Sequence, residues 1–350
     1  MHPLQIQIDW FLVLEKFVLI AIIVTMALLV AMYSTYAERK IAAFLQDRRG
    51  PNRAGPFGIF QPMADGLKLF MKEEIIPTVS SKFLFILGPM LAMITATMTS
   101  AVIPWGSSIT IFGREVTLQI ADINIGVLYI FGIVSLGVYG IMIGGWASNN
   151  KFSLLAAVRG ASQMISYELA MGLSLIAVLM IAGSLRMSVI VTEQMQHGWN
   201  IIYQPLGFLI FFVCALAECN RTPFDLPEAE NELNFGYHQE YSSMKLGFYL
   251  FAEYINMFIS SVVMATLFFG GYDIPFLNEA AYADTWWIGL AGVAALMAKA
   301  FVFIFMFMWI RWTIPRFRFD QLMNLGWKGL LPLALANMII TAAVVLWLNR

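Results

Sequence analysis

The stretch FLVLEKFVLIAIIVTMALLVAMYS, which runs from Phe11 to Ser34, decides the fold of this chain. A helix of about 20 residues covers the roughly 30 Å of hydrocarbon in a bilayer, so this run predicts a membrane-spanning helix. It is also longer than the apolar centre of a cleavable signal peptide, which has roughly 7 to 15 residues. We therefore expect it to be a true membrane span.

The composition of the whole chain agrees with this interpretation. Hydrophobic residues make up 60% of the 350 positions, charged residues make up only 12%, and the mean hydropathy is +0.75. Soluble domains carry about 25% charged residues, so the composition predicts a polytopic membrane protein. The net charge of −1 gives no indication of nucleic-acid binding, and the expected surroundings are lipid.

Further apolar segments of similar length predict an all-α transmembrane bundle of eight spans, formed by a single domain over residues 1–350. A shorter pattern from Ile59 to Lys72 places apolar residues on one helical face and lysines on another. Because it is too short to span, we expect an amphipathic helix at the interface or folded back into the protein. The expected spans are approximately 11–34, 83–103, 123–148, 160–185, 201–217, 245–271, 286–310 and 329–347.

The basic residues of the loops predict how the bundle is oriented. The four odd-numbered loops contain 15 Lys and Arg residues, whereas the three even-numbered loops contain 2. Short loops rich in Lys and Arg stay on the cytoplasmic side of a membrane. We therefore expect loops one, three, five and seven to be cytoplasmic and both termini to lie on the opposite side.

Loop five departs from this charge rule. The stretch AECNRTPFDLPEAENELNFGYHQEY, residues 217–241, combines many acids with one basic residue, Arg221. Topology does not explain so acidic a loop on the side where loops should be basic, so a functional reason is expected. Its acidic residues are Glu218, Asp225, Glu228, Glu230, Glu232 and Glu240.

Charges within the predicted spans are the second functional signal, because each costs about 2.5–3.5 kcal/mol at the centre of a span. Glu168 and Glu253 lie about eight residues into spans four and six, and Glu38 lies at the inner end of span one. Together with the acids of loop five they could relay protons. Alternatively, each acid is a paired structural ion, for instance Glu38 beside Arg39 or Glu253 with Lys299. Lys299, near the middle of span seven, is a candidate buried cation.

The sequence offers no site for a redox group. Cys214 and Cys219 lie five residues apart, which suits neither a zinc site nor an iron–sulfur cluster, and both are interpreted as packing residues. The three histidines form no pair within the spans that could hold a haem. Dinucleotide and nucleotide fingerprints are also missing. We therefore expect no flavin, haem, iron–sulfur cluster or metal bound by this chain, and electron carriers on partner chains.

Five segments resemble the signature blocks of the NuoH-type membrane subunit of respiratory complex I, the proton-pumping NADH:quinone oxidoreductase. They are AERKIAAFLQDRRGPNRAGPFGIFQPMADGLKLFMKEEIIP, GWASNNKFSLLAAVRGASQMISYELAMG, AECNRTPFDLPEAENEL, EYSSMKLGFYLFAEYINM and WIRWTIPRFRFDQLMNLGWK, and they are distributed over essentially the whole chain. The resemblance implies a subunit that forms the membrane part of the quinone chamber and the start of a proton path.

The resemblance also implies roles for individual residues, partners and a substrate. Ubiquinone or menaquinone would be the substrate, and the partners would be the peripheral-arm iron–sulfur and quinone-reducing subunits and adjacent membrane-arm subunits. The protein would lie in a bacterial plasma or inner membrane. Chamber candidates are Glu38, Arg39, Arg48, Phe224 and Arg311. Path candidates are Glu168, Glu218, Asp225, Glu228, Glu230, Glu232, Glu240 and Glu253.

Two departures from the family pattern fall in or next to loop five. This chain reads EYSS where the family commonly reads EYSG, which places Ser243 in the glycine position, and Leu233 to Phe235 are bulkier than expected. Other functions compatible with the residues are a quinone-less subunit of a membrane hydrogenase-type complex, a secondary ion transporter, and a passive anchor for a soluble oxidoreductase. A transporter of that kind is expected to show two related halves, and the sequence has none.

Overall fold

The computed structural model describes residues 10–111, 114–228, 230–275, 277 and 286–348, and in this part of the chain the protein is a helical bundle. The helices are α1 (Trp10–Leu45), α2 (Gln61–Met71), α3 (Lys82–Met98), α4 (Gly126–Ala147), α5 (Lys151–Ala182), α6 (Met187–His197), α7 (Asn200–Tyr203), α8 (Pro205–Glu218), α9 (Glu230–Leu233), α10 (Ser243–Phe268), α11 (Trp286–Thr313), α12 (Phe319–Asn324) and α13 (Leu331–Leu348). Short 3-10 segments occur at Pro56–Gly58, Thr99–Val102 and Gly236–His238, and a π-helical turn at Leu325–Leu330 precedes α13.

The described residues contain one small sheet. Strands β1 (Ser108–Ile111) and β2 (Arg114–Thr117) form an antiparallel hairpin in loop two. Ser108 is paired with Thr117, and Ile109 with Val116. The fold is thus all-α with one extramembrane hairpin, which confirms the predicted class.

Loops one, three, five and seven meet at one end of the bundle, which we call the basic end. The Ser243 hydroxyl at the start of α10 donates to the Leu69 carbonyl of α2 at 3.1 Å. The Asn150 amide of loop three donates to Glu240 of loop five at 2.8 Å. Arg316 of loop seven forms a 2.7 Å ion pair with Asp225 of loop five. The odd-numbered loops therefore lie together at one end of the bundle, as the distribution of Lys and Arg predicts.

The even-numbered loops meet at the opposite end, which we call the hairpin end. Arg186, just after α5, forms a 3.2 Å ion pair with Asp122, which follows the hairpin. The Trp199 indole donates to Asp273, in the loop after α10, at 2.8 Å.

In the described part of the chain, seven helices are long and apolar enough to cross a bilayer, and α8 is shorter, with 14 residues. At 1.5 Å per residue α8 is about 21 Å long. It nevertheless connects the two ends, because Gln204 before it belongs to the hairpin end and loop five after it belongs to the basic end. The predicted count of eight spans therefore includes one short member and is approximate.

Helix α10 lies at the centre of the bundle, with 72% of its most apolar 18-residue window buried. The same fraction is only 28% in α1, whose exposed side chains include Phe17 and Ile22. Apolar side chains on the outer surface of a spanning helix are suited to contact with lipid tails. The polar groups that face α10 are consequently shielded from lipid.

Glycines on α4 allow its neighbours to approach closely. A Cβ added at Gly140 would lie 2.9 Å from the Ala92 backbone nitrogen of α3. One added at Gly144 would overlap the hydroxyl of Tyr249, which projects from α10. Gly140 and Gly144 thus form a packing surface on α4.

Helix α2 confirms the predicted amphipathic segment in loop one. It covers 11 residues and leaves Met63, Leu67 and Phe70 exposed. At this length it is too short to cross the hydrocarbon of a bilayer.

Candidate functional site

Glu38 is the centre of a buried charge cluster at the basic end. It is only 5% exposed, and one carboxylate oxygen lies 2.6 Å from Nη1 of Arg311 on α11. The other oxygen lies 3.2 Å from Nη1 of Arg221 and accepts a 2.7 Å hydrogen bond from the hydroxyl of Tyr254 on α10. The neighbour that the sequence suggested, Arg39, instead forms a 2.7 Å ion pair with Asp65 of α2.

Arg221 belongs to the same cluster, although sequence reasoning did not select it as a candidate. It lies two residues beyond Cys219, the C-cap of α8, is 4% exposed, and its guanidinium lies 4.0 Å above the ring of Tyr254. Its Nη2 lies 3.9 Å from a carboxylate oxygen of Glu253, so it touches acids on two different helices. The available signal was its position as the single basic residue of an acidic loop. Spacing alone could not reveal that α1 and α10 place Glu38 and Glu253 on either side of it.

Glu218 and Glu253 line one internal cavity of about 70 Å³. Tyr237 also lines it, and its hydroxyl donates to Glu253 at 3.2 Å. A water molecule needs roughly 10–15 Å³ of such space, so a few waters fit between these polar groups. The lining also includes Asn220, Ser260 and Thr99.

Asp225 lies in the non-helical part of loop five, between Pro223 and Pro227, and is 4% exposed. One of its oxygens lies 2.7 Å from Arg316. Burial is the main cause that raises the pKa of Asp225 to about 7, and the nearby charge of Glu228 adds to it. The guanidinium of Arg316 opposes this rise without cancelling it. Asp225 therefore keeps its proton to a higher pH than an exposed aspartate does.

Loop five is held in place by α5. The fully buried Gln163 amide donates to the Ala217 carbonyl at 2.8 Å and to the Phe224 carbonyl at 2.7 Å. Gly160 leaves room for Pro227, which a Cβ at this position would contact at 2.7 Å. The chamber candidate Phe224 is 3% exposed and packs against aromatic rings on both sides, Tyr167 and Phe317.

The remaining path candidates lie outside the Glu38 cluster and differ in how far they are exposed. Glu168 of α5 is half-buried and accepts a hydrogen bond from Ser135 of α4. Glu232 is exposed and pairs with Arg159 at 2.8 Å, which fits the structural alternative. Glu240 binds Asn150 at the edge of loop five. Glu230 begins α9, but its side chain lies outside the described residues.

The arginine candidates of loop one are more exposed at the basic end than Arg311 is. Arg39 and Arg48 face an open cup together with Arg49 and Arg53. Arg39 also borders a second groove, between α1, α2 and α10, in which Tyr254 forms part of the wall. Because Tyr254 binds Glu38, this groove lies directly beside the buried cluster.

An apolar groove runs between α1 and α11 and reaches the same cluster. Its walls include Ala37, directly before Glu38, and Met308, one turn before Arg311. Phe301 and Phe305 line it on the side away from the cluster. The groove is open and almost entirely apolar, so it can accept a hydrocarbon chain.

Lys299 lies away from the path candidates at the basic end. Its ammonium donates to the carbonyl oxygens of Phe269, Gly271 and Asp273 at 2.8, 2.8 and 2.6 Å, at the hairpin end. Glu253 is 16 residues before Phe269, about 24 Å along a helix, so the two charges belong to different ends. Lys299 caps the end of α10.

Ser243 occupies the position where a glycine was expected, and its backbone explains why. Its φ is +56°, in the left-handed region that favours glycine. The 3.1 Å bond from its hydroxyl to Leu69 accompanies this conformation.

The fold and the buried cluster define a class of protein: a polytopic helical membrane protein with an internal network of acids and arginines that borders apolar grooves at its surface. The chain matches the NADH dehydrogenase family over residues 17–342. It is 64% identical to an H-type subunit of the NADH-quinone oxidoreductase of Cytophaga hutchinsonii, with 95% of this chain and 97% of that protein covered.

Other relatives have equivalent names and similar coverage. The chain is 60% identical to the H-type subunit of the NADH-quinone oxidoreductase of Flavobacterium johnsoniae, covering 95% of this chain and 96% of that protein. It is 49% identical to an H-type subunit from Geobacter metallireducens, covering 93% and 95%. The chain belongs to the NADH dehydrogenase family, as a NuoH-type membrane subunit.

Proposed function

We propose that this chain is the complex I membrane subunit that forms the membrane part of the quinone chamber and the start of the proton path. Its relatives are named as subunits of NADH-quinone oxidoreductase, whose chemistry is electron transfer to quinone. The observation that carries the proposal is the continuity of charges from Glu38, beside a surface groove, to Glu253 and Glu218, in an internal cavity.

The chamber is assigned to the surroundings of Glu38. Arg311 stays charged at any physiological pH, and its planar guanidinium suits the oxygen of a quinone or of its reduced anion. The groove between α1 and α11 is suited to an isoprenoid tail because its walls are apolar. Arg39 and Arg48, in the open cup, would lie where a partner subunit covers the chamber.

The proton path is assigned to the acids that follow. Among the described residues, Glu38, Asp225, Glu228 and Glu253 surround three arginines, Arg221, Arg311 and Arg316. Four acids against three cations leave at least one carboxylate without a cation of its own. Because a buried unpaired charge is costly, the cluster holds at least one proton that it can release.

The quinone, as ubiquinone or menaquinone, is a substrate in this proposal, and the electrons arrive from partner subunits of the peripheral arm. Other partners are the neighbouring subunits of the membrane arm. The basic end faces the cytoplasm of a bacterial plasma or inner membrane, as its excess of Lys and Arg favours, and both termini lie on the other side.

Photoaffinity labelling of the intact complex tests the chamber. A quinone analogue with a photoreactive group on its tail should label α1 or α11, and excess quinone should prevent the labelling. An active complex in which this chain is never labelled would contradict the proposal.

Kinetics provide a second measurement. The variant Arg311→Met should raise the KM for quinone by about tenfold or more, since hydrogen bonds to charged groups contribute about 1.5–3 kcal/mol. Arg318→Met is the matched control, because Arg318 lies in the loop that follows α11, is exposed, and its ion pair with Asp320 is long, at 3.4 Å. Equal KM values for both variants would exclude Arg311 from the chamber.

A further inference from the structure

The guanidinium of Arg221 is buried but incompletely bonded. Its Nη1 lies 3.2 Å from Glu38, whereas Nε and Nη2 are buried without a hydrogen-bond partner in the structure. The ion pair from Nη2 to Glu253 is long, at 3.9 Å. A buried donor without an acceptor costs about 1–3 kcal/mol, so this position of the guanidinium is under-satisfied.

Its surroundings allow a second arrangement. Glu38 has a second cation, because Arg311 lies 2.6 Å from its other oxygen. Glu253 has Tyr237 as a donor, and Arg221 is its partner in the ion pair that the structure shows. A small approach of Nη2 to Glu253 would therefore exchange one pairing for another without leaving Glu38 unpaired.

The ring of Tyr254 supports such a movement. The guanidinium lies 4.0 Å above the ring, where a cation is attracted without a fixed direction of hydrogen bonding. Tyr254 follows Glu253 directly in α10, and its hydroxyl binds Glu38 at 2.7 Å. The stacked ring thus keeps Arg221 within reach of both acids.

We infer that Arg221 is the positioning residue that couples the quinone chamber to the proton path, by sharing its guanidinium between Glu38 and Glu253. This inference rests on the proposed function, which assigns the quinone chamber to the surroundings of Glu38 and the proton path to Glu253. When Glu38 or Glu253 gains or loses its charge, its attraction for the guanidinium of Arg221 changes. The guanidinium then binds the other acid more strongly or more weakly. Arginine suits this role because its fork presents several donors in one plane.

A double-mutant cycle in the intact complex tests the coupling. The probe is decylubiquinone or 2,3-dimethyl-1,4-naphthoquinone, whichever the complex reduces, and the measured quantities are KM and kcat. Glu253→Gln should change the KM by about fivefold when Arg221 is present, a usual size for coupled neighbours. The same substitution in an Arg221→Met background should leave the KM unchanged, because the bridge is gone.

Two further variants keep the test decisive. Arg221→Lys retains the charge in a compact group that cannot reach both acids, so it should assemble and lose the KM coupling. If Arg221→Met does not assemble, the cycle is measured with Arg221→Lys. Arg186→Gln is the control, since its ion pair with Asp122 is 38% exposed and lies at the hairpin end.

The outcomes separate the inference from the proposed function. If Glu253→Gln shifts the KM equally with and without Arg221, the bridge is overturned. The proton-to-electron ratio of Glu253→Gln alone tests the path: an unchanged ratio contradicts the proposed path, whatever the cycle shows.

Discussion

Asp225 shows how one side chain in a loop can titrate near neutral pH. Its pKa rises from its ordinary value of 3.8 to about 7, mainly because it is buried. The folded loop therefore binds this proton more tightly than an unfolded loop does. The stabilisation is fully present below about pH 4 and is lost as the pH rises through about 7.

We expect the hydrogen-exchange protection of residues 219–242 in the intact complex to fall between pH 5 and pH 8. Protection factors, which correct for the intrinsic exchange rate, are the measured quantity. Asp225→Asn removes the titrating group and should flatten this dependence, whereas Asp320→Asn, at an exposed position, should not. Protection in the unaltered protein that stays constant or rises with pH would contradict the assignment.

At the scale of residues, the sequence revealed the acids but not their partners. Glu38, Glu218 and Glu253 stand out because acids are rare in apolar spans. Their contacts come from α1, α8, α10 and α11 meeting at one end, and no spacing rule predicts which side chains then touch. For this reason Arg221 and Gln163, each on a different element from its partner, escaped the sequence reasoning.

Helix boundaries show the same limit at the scale of elements. The prediction ended span one at Ser34, but α1 continues to Leu45, because AERKIAAFL consists largely of good helix formers that hydropathy does not detect. Helix α5 likewise begins at Lys151, nine residues before the predicted start, with Asn150 as its N-cap. Span positions follow from hydropathy, whereas helix ends depend on caps and polar extensions.

The contact between α4 and α10 leads to a prediction about a whole element. Gly144→Ala places a methyl group where the Tyr249 hydroxyl lies, and Tyr249 is fixed there by its 3.1 Å bond to the Gly140 carbonyl. Overpacking of this kind costs about 1–3 kcal/mol. We expect a lower amount of assembled complex in membranes and a lower midpoint of thermal inactivation.

Gly132→Ala is the matched control on the same helix, because a Cβ at Gly132 meets nothing within 4 Å. It should assemble normally and should be slightly stabilising, since alanine is a better helix former than glycine. Equal loss in both variants would show that the glycines are needed for a reason other than close packing.

The whole molecule is organised by the alternation of its loops. Hydropathy was enough to predict the spans approximately, because it depends on local composition. The short α8 and the meeting of loops one, three, five and seven at the buried cluster depend on tertiary packing.

Cysteine labelling in whole cells tests the proposed sidedness. Both native cysteines are buried, so they should contribute little background. A membrane-impermeant maleimide should label Thr192→Cys, which is exposed at the hairpin end, in intact cells. It should label Thr78→Cys, which is exposed at the basic end, only after the membrane is opened. The reverse pattern would contradict the orientation.

The proton-to-electron ratio of the Glu218→Gln complex in proteoliposomes is the most direct test of the central claim, that buried acids connect the quinone chamber to proton translocation. Glutamine preserves shape but cannot carry a proton, so the complex should assemble and reduce quinone while the ratio falls below half of the unaltered value. Glu193→Gln, at the hairpin end, is the control and should retain the full ratio. A normal ratio in an assembled, active Glu218→Gln complex would contradict the claim.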